Sequence, residues 1–172
     1  FCWGHIKSSA LTYGHRFLAA EGVAKRPAPI RVQSASTYLF QLKAACVIAD
    51  PEERKRIISE GLEKASSEAG GRIIPDAALL EEVSYLCEYP VVLRGAFDRE
   101  FLTLPRDVVI NVMREHQRYF SVTDPRGALL PCFMTVANTR ASDMDVVRKG
   151  NDRVLRARLN DAKFYYEKDV KV

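Results

Sequence analysis

His5, His15 and His116 are the side chains best suited to move a proton near neutral pH, and they are scattered along the 172 residues. No His-Asp doublet accompanies them and no histidine lies at metal-ligand spacing from a cysteine pair, which makes a weak case for hydrolysis. Phosphate-loop and dinucleotide glycine patterns are missing, because Gly70-Gly71 lacks the lysine and hydroxyl that magnesium-phosphate chemistry needs. No serine sits in Gly-x-Ser-x-Gly and no His-Glu-x-x-His occurs. Tyr13-Gly14-His15-Arg16 and Ile6-Lys7-Ser8-Ser9 lack the second histidine and second lysine with which a triphosphate is held. Glu81 and Glu82 are helix neighbours pointing about 100° apart and do not converge on one substrate atom, and Glu52-Glu53 belongs to a helix cap. No catalytic residue and no metal site is expected.

Binding chemistry is better represented. Thr12-Tyr13-Gly14-His15-Arg16-Phe17 joins a hydroxyl, an imidazole and a guanidinium between two aromatics, and Glu115-His116-Gln117-Arg118-Tyr119-Phe120 repeats the mixture at a helix-to-strand junction. Arginine and aromatic planes stack on bases while polar heads reach phosphates; the same residues also suit a buried junction whose polar groups satisfy main-chain atoms. A third feature is a basic stripe. Lys149, Arg153, Arg156 and Lys163 fall at helical offsets of 0, 4, 7 and 14, with Arg158 nearby. They can contact phosphates, or form a solvated face partly neutralised by Asp152 and Asp161.

Charge is distributed to match. The chain has 26 basic and 22 acidic residues, a net +4, with the surplus in residues 1–32 and 139–172 around an acidic centre. Two basic ends suit an anionic partner, or are ordinary surface. The longest uncharged stretch, Gly127 to Thr139, contains Pro131 and is too short to cross a bilayer, so no membrane span is expected. Cys2, Cys46, Cys87 and Cys132 form no Cys-x-x-Cys pair, and the last three read as small buried hydrophobes of a reducing, cytoplasmic protein.

The elements that would position these groups follow from capping and periodicity. Asp50-Pro51-Glu52-Glu53 starts a helix whose stripe is Ile57, Ile58, Leu62, Ala65 and Ala69, ending at Gly70-Gly71. Asp76 caps another carrying Leu79, Leu80, Val83, Leu86 and Cys87, and Leu104-Pro105 opens a third with Val109, Val112, Met113 and His116 on one side. A helix from about Ser36 to Ala45 turns Leu39 and Leu42 inward. Strand character marks Ile30–Val32, Val91–Leu93, Ala96-Phe97, Tyr119–Thr123 and Leu129–Val136, and Asp124-Pro125-Arg126-Gly127 is a hairpin turn. From Ser142 to Val170 one long helix, interrupted near Gly150, buries Leu155, Leu159, Ala162 and Tyr166. The expected fold is α+β with a mixed, mainly antiparallel sheet: a module over residues 1–140 and a basic helical extension over 141–172 packing on it.

Five strings in order resemble the beta subunit of the bacterial heterotetrameric glycyl-tRNA synthetase. They are Thr12 to Phe17; Val47-Ile48-Ala49-Asp50 with Glu53-Arg54; Leu80-Glu81-Glu82-Val83 leading to Glu88-Tyr89-Pro90; Met113 with His116 to Phe120; and Gly150 to Leu159 continuing to Asp161-Ala162 and Phe164. Asp152 stands where glutamate is expected and Tyr165 where phenylalanine is usual. The resemblance implies an internal fragment of a longer subunit, in keeping with a start at Phe1, and a module similar to B3/B4 of the phenylalanyl-tRNA synthetase beta subunit. It further implies that ATP, magnesium and glycine bind at the alpha subunit, leaving this chain without a cofactor. The partners implied are tRNA(Gly), the alpha subunit and the remaining beta-subunit domains. Lys149, Arg153, Arg156, Arg158 and Lys163 are then candidate tRNA contacts, with His15 and Arg16 as weaker ones, and His116, Gln117 and Arg118 form a junction of unassigned role. Two alternatives stand beside this: a protein-only scaffold, and a vestigial editing site around His15 or His116.

Overall fold

Asp50, Asp76 and Asp143 each end an extended segment and place a carboxylate oxygen over free helical amides. Asp50 accepts from the Glu52 amide, Asp76 from that of Leu79, and Asp143 from those of Asp145 and Val146. These caps open helices α2 (Pro51–Glu68), α3 (Ala77–Leu86) and α5 (Met144–Asp169), after the shorter α1 (Tyr38–Ala44); α4 (Arg106–Asn111) precedes α5. The computed structural model describes residues 2–17, 29–141 and 143–170. Lys25, Arg26 and Ser142 therefore lie outside the described residues.

Two small antiparallel pairs come first: β1 (Cys2–Trp3) with β2 (Ile6–Lys7), and β3 (Leu11–Tyr13) with β4 (Pro29–Arg31). The main sheet is antiparallel in the order β5 (Arg72–Ile73), β7 (Phe120–Thr123), β8 (Leu129–Ala137), β6 (Val91–Ala96). The expected hairpin joins β7 to β8. Asp124 Oδ1 accepts from the Arg126 and Ala128 amides, and Gly127 adopts a φ of +87°, where its lack of a side chain avoids strain. Register shifts between Ser121 and Thr123, and Pro131 sits in this irregular stretch of β8, where a missing donor is tolerated.

Alternation along β8 sorts the helices into two layers. Cys132 and Met134 join Ile58, Leu62, Leu79, Val83, Phe120 and Val122 under α2 and α3. Phe133 faces the other way, into a cluster with Phe97, Phe101, Val109, Met113, Tyr119, Leu155 and Leu159 under α4 and α5. The α+β class and the mainly antiparallel sheet are as expected.

Several details differ from the sequence reading. Leu39 and Leu86 are exposed, at 57% and 62%, because no described element packs on the outer faces of α1 and α3 that carry them. Val91–Ala96 is one strand, not two pieces. Helix α5 is unbroken at Gly150, since one glycine costs a helix only about 1 kcal/mol and the residues after it are firmly docked. Tyr166 is 37% exposed and Cys46 only half-buried. After α4 the chain widens into a π turn over Val112–His116, which rotates His116 out to the surface instead of leaving it in line with Val109 and Met113.

Gly95 has a steric role. A Cβ there would overlap the ring of Phe133, its cross-strand partner, which stacks on Tyr119 with centroids 4.3 Å apart. Gly95→Ala is expected to cost about 1–3 kcal/mol in denaturant unfolding. Gly150→Ala, whose Cβ meets nothing within 4 Å, is expected to gain roughly 0.5–1 kcal/mol.

Candidate nucleic-acid interface

Helix α5 is held to the sheet by Leu155 and Leu159, both fully buried, and by polar contacts along one flank. The Tyr119 hydroxyl donates to Asn151 Oδ1 at 2.7 Å, and burial, followed by the nearby Asp152 charge, pushes this phenol up to about 12. Asp152 Oδ1 accepts from the Ala96 amide at 2.9 Å, at the end of β6. Further along, Arg156 pairs with Asp98 at 3.1 Å and Lys163 with Glu100 at 2.9 Å. Hydrogen bonding to Glu100 raises the Lys163 ammonium above its ordinary range.

These contacts divide the stripe. Arg156 and Lys163 are tied to acids of the segment after β6, whereas Lys149 and Arg153 are exposed and have no partner among the described residues. Arg158 is also exposed and without a partner among the described residues, but it projects from the opposite flank, about 200° round from Arg156. Neutralisation comes from Asp98 and Glu100, which are far away in sequence, and not from Asp152 and Asp161; Asp152 is engaged by Ala96 and Arg148. Asn151, Asp98 and Glu100 were missed by sequence reasoning. Only the position of Asn151 inside the most recognisable string could have pointed to it.

His15 and Arg16 part company. His15 is 2% exposed, its amide donates to the Ala45 carbonyl, and its Nδ1 accepts from the Phe17 amide at 3.2 Å. It is an internal group and not a surface contact. Arg16 is exposed, with its guanidinium 5.7 Å from the Phe17 ring centre.

The second mixed string is a clamp between helices. Arg114 Nε donates to Asp76 Oδ2 at 2.6 Å, and Arg118, at a φ of +58°, donates from Nε to Glu82 at 2.5 Å and from Nη1 to the Glu115 carbonyl. The left-handed backbone at Arg118 reverses the chain into β7, a conformation costing a non-glycine residue about 1–2 kcal/mol. Gln117 is half-buried beside it, and His116 faces solvent. Burial alone would raise the Asp76 carboxyl, but the Arg114 guanidinium and the Leu79 amide outweigh it and hold the group below its usual range. Cys87 and Cys132 are buried, which pushes both thiols up, and no His, Cys, Asp and Glu grouping fit for a metal ion occurs among the described residues.

A family model described as "Glycyl-tRNA synthetase beta subunit" matches residues 1–172. The chain belongs to the glycyl-tRNA synthetase beta subunit family. It is 48% identical over 172 residues to a "Glycine--tRNA ligase beta subunit" of Geobacter metallireducens, covering 100% of this chain and 24% of that protein. A protein of the same name from Syntrophotalea carbinolica is 47% identical with the same coverage. One from Syntrophus aciditrophicus is 45% identical over 168 residues, 98% of this chain and 23% of that protein. The chain thus spans about a quarter of the length of these relatives in the family.

The clamp has a measurable pH signature. Asp76 prefers to be ionised in the folded state, so its contribution is present above its ordinary value of 3.8 and fades as pH falls below it. Asp76→Ala is expected to cost about 1–2 kcal/mol at pH 7. Denaturant titrations of both proteins should converge as the pH drops below about 4.

Proposed function

We propose that this chain is a non-catalytic segment of a glycyl-tRNA synthetase beta subunit. It supports ATP-dependent attachment of glycine to tRNA(Gly) in the cytoplasm by contacting tRNA through α5. ATP, magnesium and glycine belong in this reading to the alpha subunit, and the alpha subunit and the remaining beta-subunit domains are its protein partners. The observation that supports it is the division of the basic stripe. Arg156 and Lys163 help fix the helix, and Lys149 and Arg153, about one turn apart, are left exposed and without a partner among the described residues. Cations on a docked helix can neutralise phosphates with little loss of backbone freedom, setting the register of the RNA without reading its sequence. Arg158 and Arg16 offer separate, more peripheral contacts.

A second reading, docking of protein alone, is favoured by the outward residues Val146, Val154, Phe164 and Tyr165 of α5, which are 44–65% exposed. An editing centre finds less support. His15 is enclosed, His116 lies at the surface, and neither bonds a carboxylate among the described residues.

Lys149→Glu combined with Arg153→Glu in the intact enzyme separates the first two readings. The KM for tRNA should rise about tenfold or more, and the slope of log affinity against log salt should fall by about 0.9 for each phosphate no longer neutralised. Glycine-dependent ATP–pyrophosphate exchange should be unchanged. An unaltered tRNA KM and salt slope would assign this face of α5 to protein contacts.

A further inference from the structure

Strand β6 is the outermost strand of the main sheet, paired on one side with β8. Two hydrogen bonds fix which of its groups point outward. Phe97 N donates to the Pro131 carbonyl across the ladder at 3.2 Å, and Ala96 N donates away from β8 to Asp152 Oδ1 at 2.9 Å. Amide direction alternates along an antiparallel strand, so Leu93 and Gly95 face β8 while Val92 and Arg94 point out of the sheet. No described residue bonds the outward amide or carbonyl of either.

Native sheets usually blunt such an edge with proline, lysine, a bulge or very short length. The six residues Val91-Val92-Leu93-Arg94-Gly95-Ala96 include neither proline nor lysine, and the register shift of this sheet lies in the β7–β8 pair. Arg94 is the one charge, exposed and without a partner among the described residues.

We propose that β6 receives a fifth strand from an extended segment of the same polypeptide lying outside these 172 residues. The relatives match this chain over only 24% of their length, so about three quarters of such a polypeptide remains to supply it. A covalently linked segment acts at a high effective concentration, which a free peptide or a second copy lacks. Asp152 limits the pairing. With Ala96 N already occupied, the added strand bonds at Val92 and Arg94, and an acidic residue across from Arg94 completes the pair.

Residue-resolved hydrogen exchange on the full-length subunit tests this within one strand. The Val92 and Arg94 amides are expected to exchange within about tenfold of those of Leu93 and Gly95. Outward amides exchanging about 100-fold faster than their inward neighbours would overturn the proposal, and so would protection that is lost on dilution, which assigns the edge to a second copy. Arg94→Pro removes an amide that β8 does not use, and should lower the melting temperature of the full subunit well below that of Arg94→Ala. Equal melting temperatures would contradict a paired edge.

Discussion

The flat packing of Phe133 between the bare backbone of Gly95 and the ring of Tyr119 is the constraint on which the rest of this molecule depends. Phe133 lies on the central strand β8, so whatever covers it decides how the second helical layer sits. Tyr119 covers it, and because the phenol is buried its hydroxyl needs a partner, which Asn151 of α5 provides. Leu155 and Leu159 then follow at helical spacing into the same cluster. A glycine chosen for its missing side chain thus positions a helix through three successive contacts.

Once α5 is placed, its charges have unequal roles. Asp152, Arg156 and Lys163 meet groups just after or at the end of β6, and their hydrogen bonds complete the docking. Surface ion pairs of this kind contribute little stability individually, about 0–1 kcal/mol. Their effect is on direction, because they turn one flank toward the protein and leave Lys149 and Arg153 exposed, with no partner among the described residues. In the function proposed above, the anion these two cations meet is tRNA.

What was legible in the sequence was local. Asp50, Asp76 and the Asp124 turn satisfy backbone groups within four residues of themselves, so their types and spacing were sufficient. Helix periodicity gave Leu155 and Leu159 correctly, but it reports an apolar face without saying whether another element covers it, hence Leu39 and Leu86. The π turn that exposes His116 has no residue signature, and glycine at position 150 resembles a break unless the anchors after it are known. At the candidate site, the stripe was visible as a helical pattern. Its division was not, because Asp98 lies 58 residues from Arg156 in sequence and Glu100 lies 63 from Lys163. The burial of His15 beside Ala45 depends on a similarly distant contact.

In the proposed function, α5 presents an RNA-facing cation pair beside a pair tied to the protein. Hydroxyl-radical footprinting of the intact enzyme, with and without tRNA, tests this directly. Protection by tRNA concentrated around Lys149 and Arg153, with Arg156 and Lys163 little changed, is the result expected. Protection of residues 140–165 by the alpha subunit in the absence of tRNA, with no further change when tRNA is added, would contradict it.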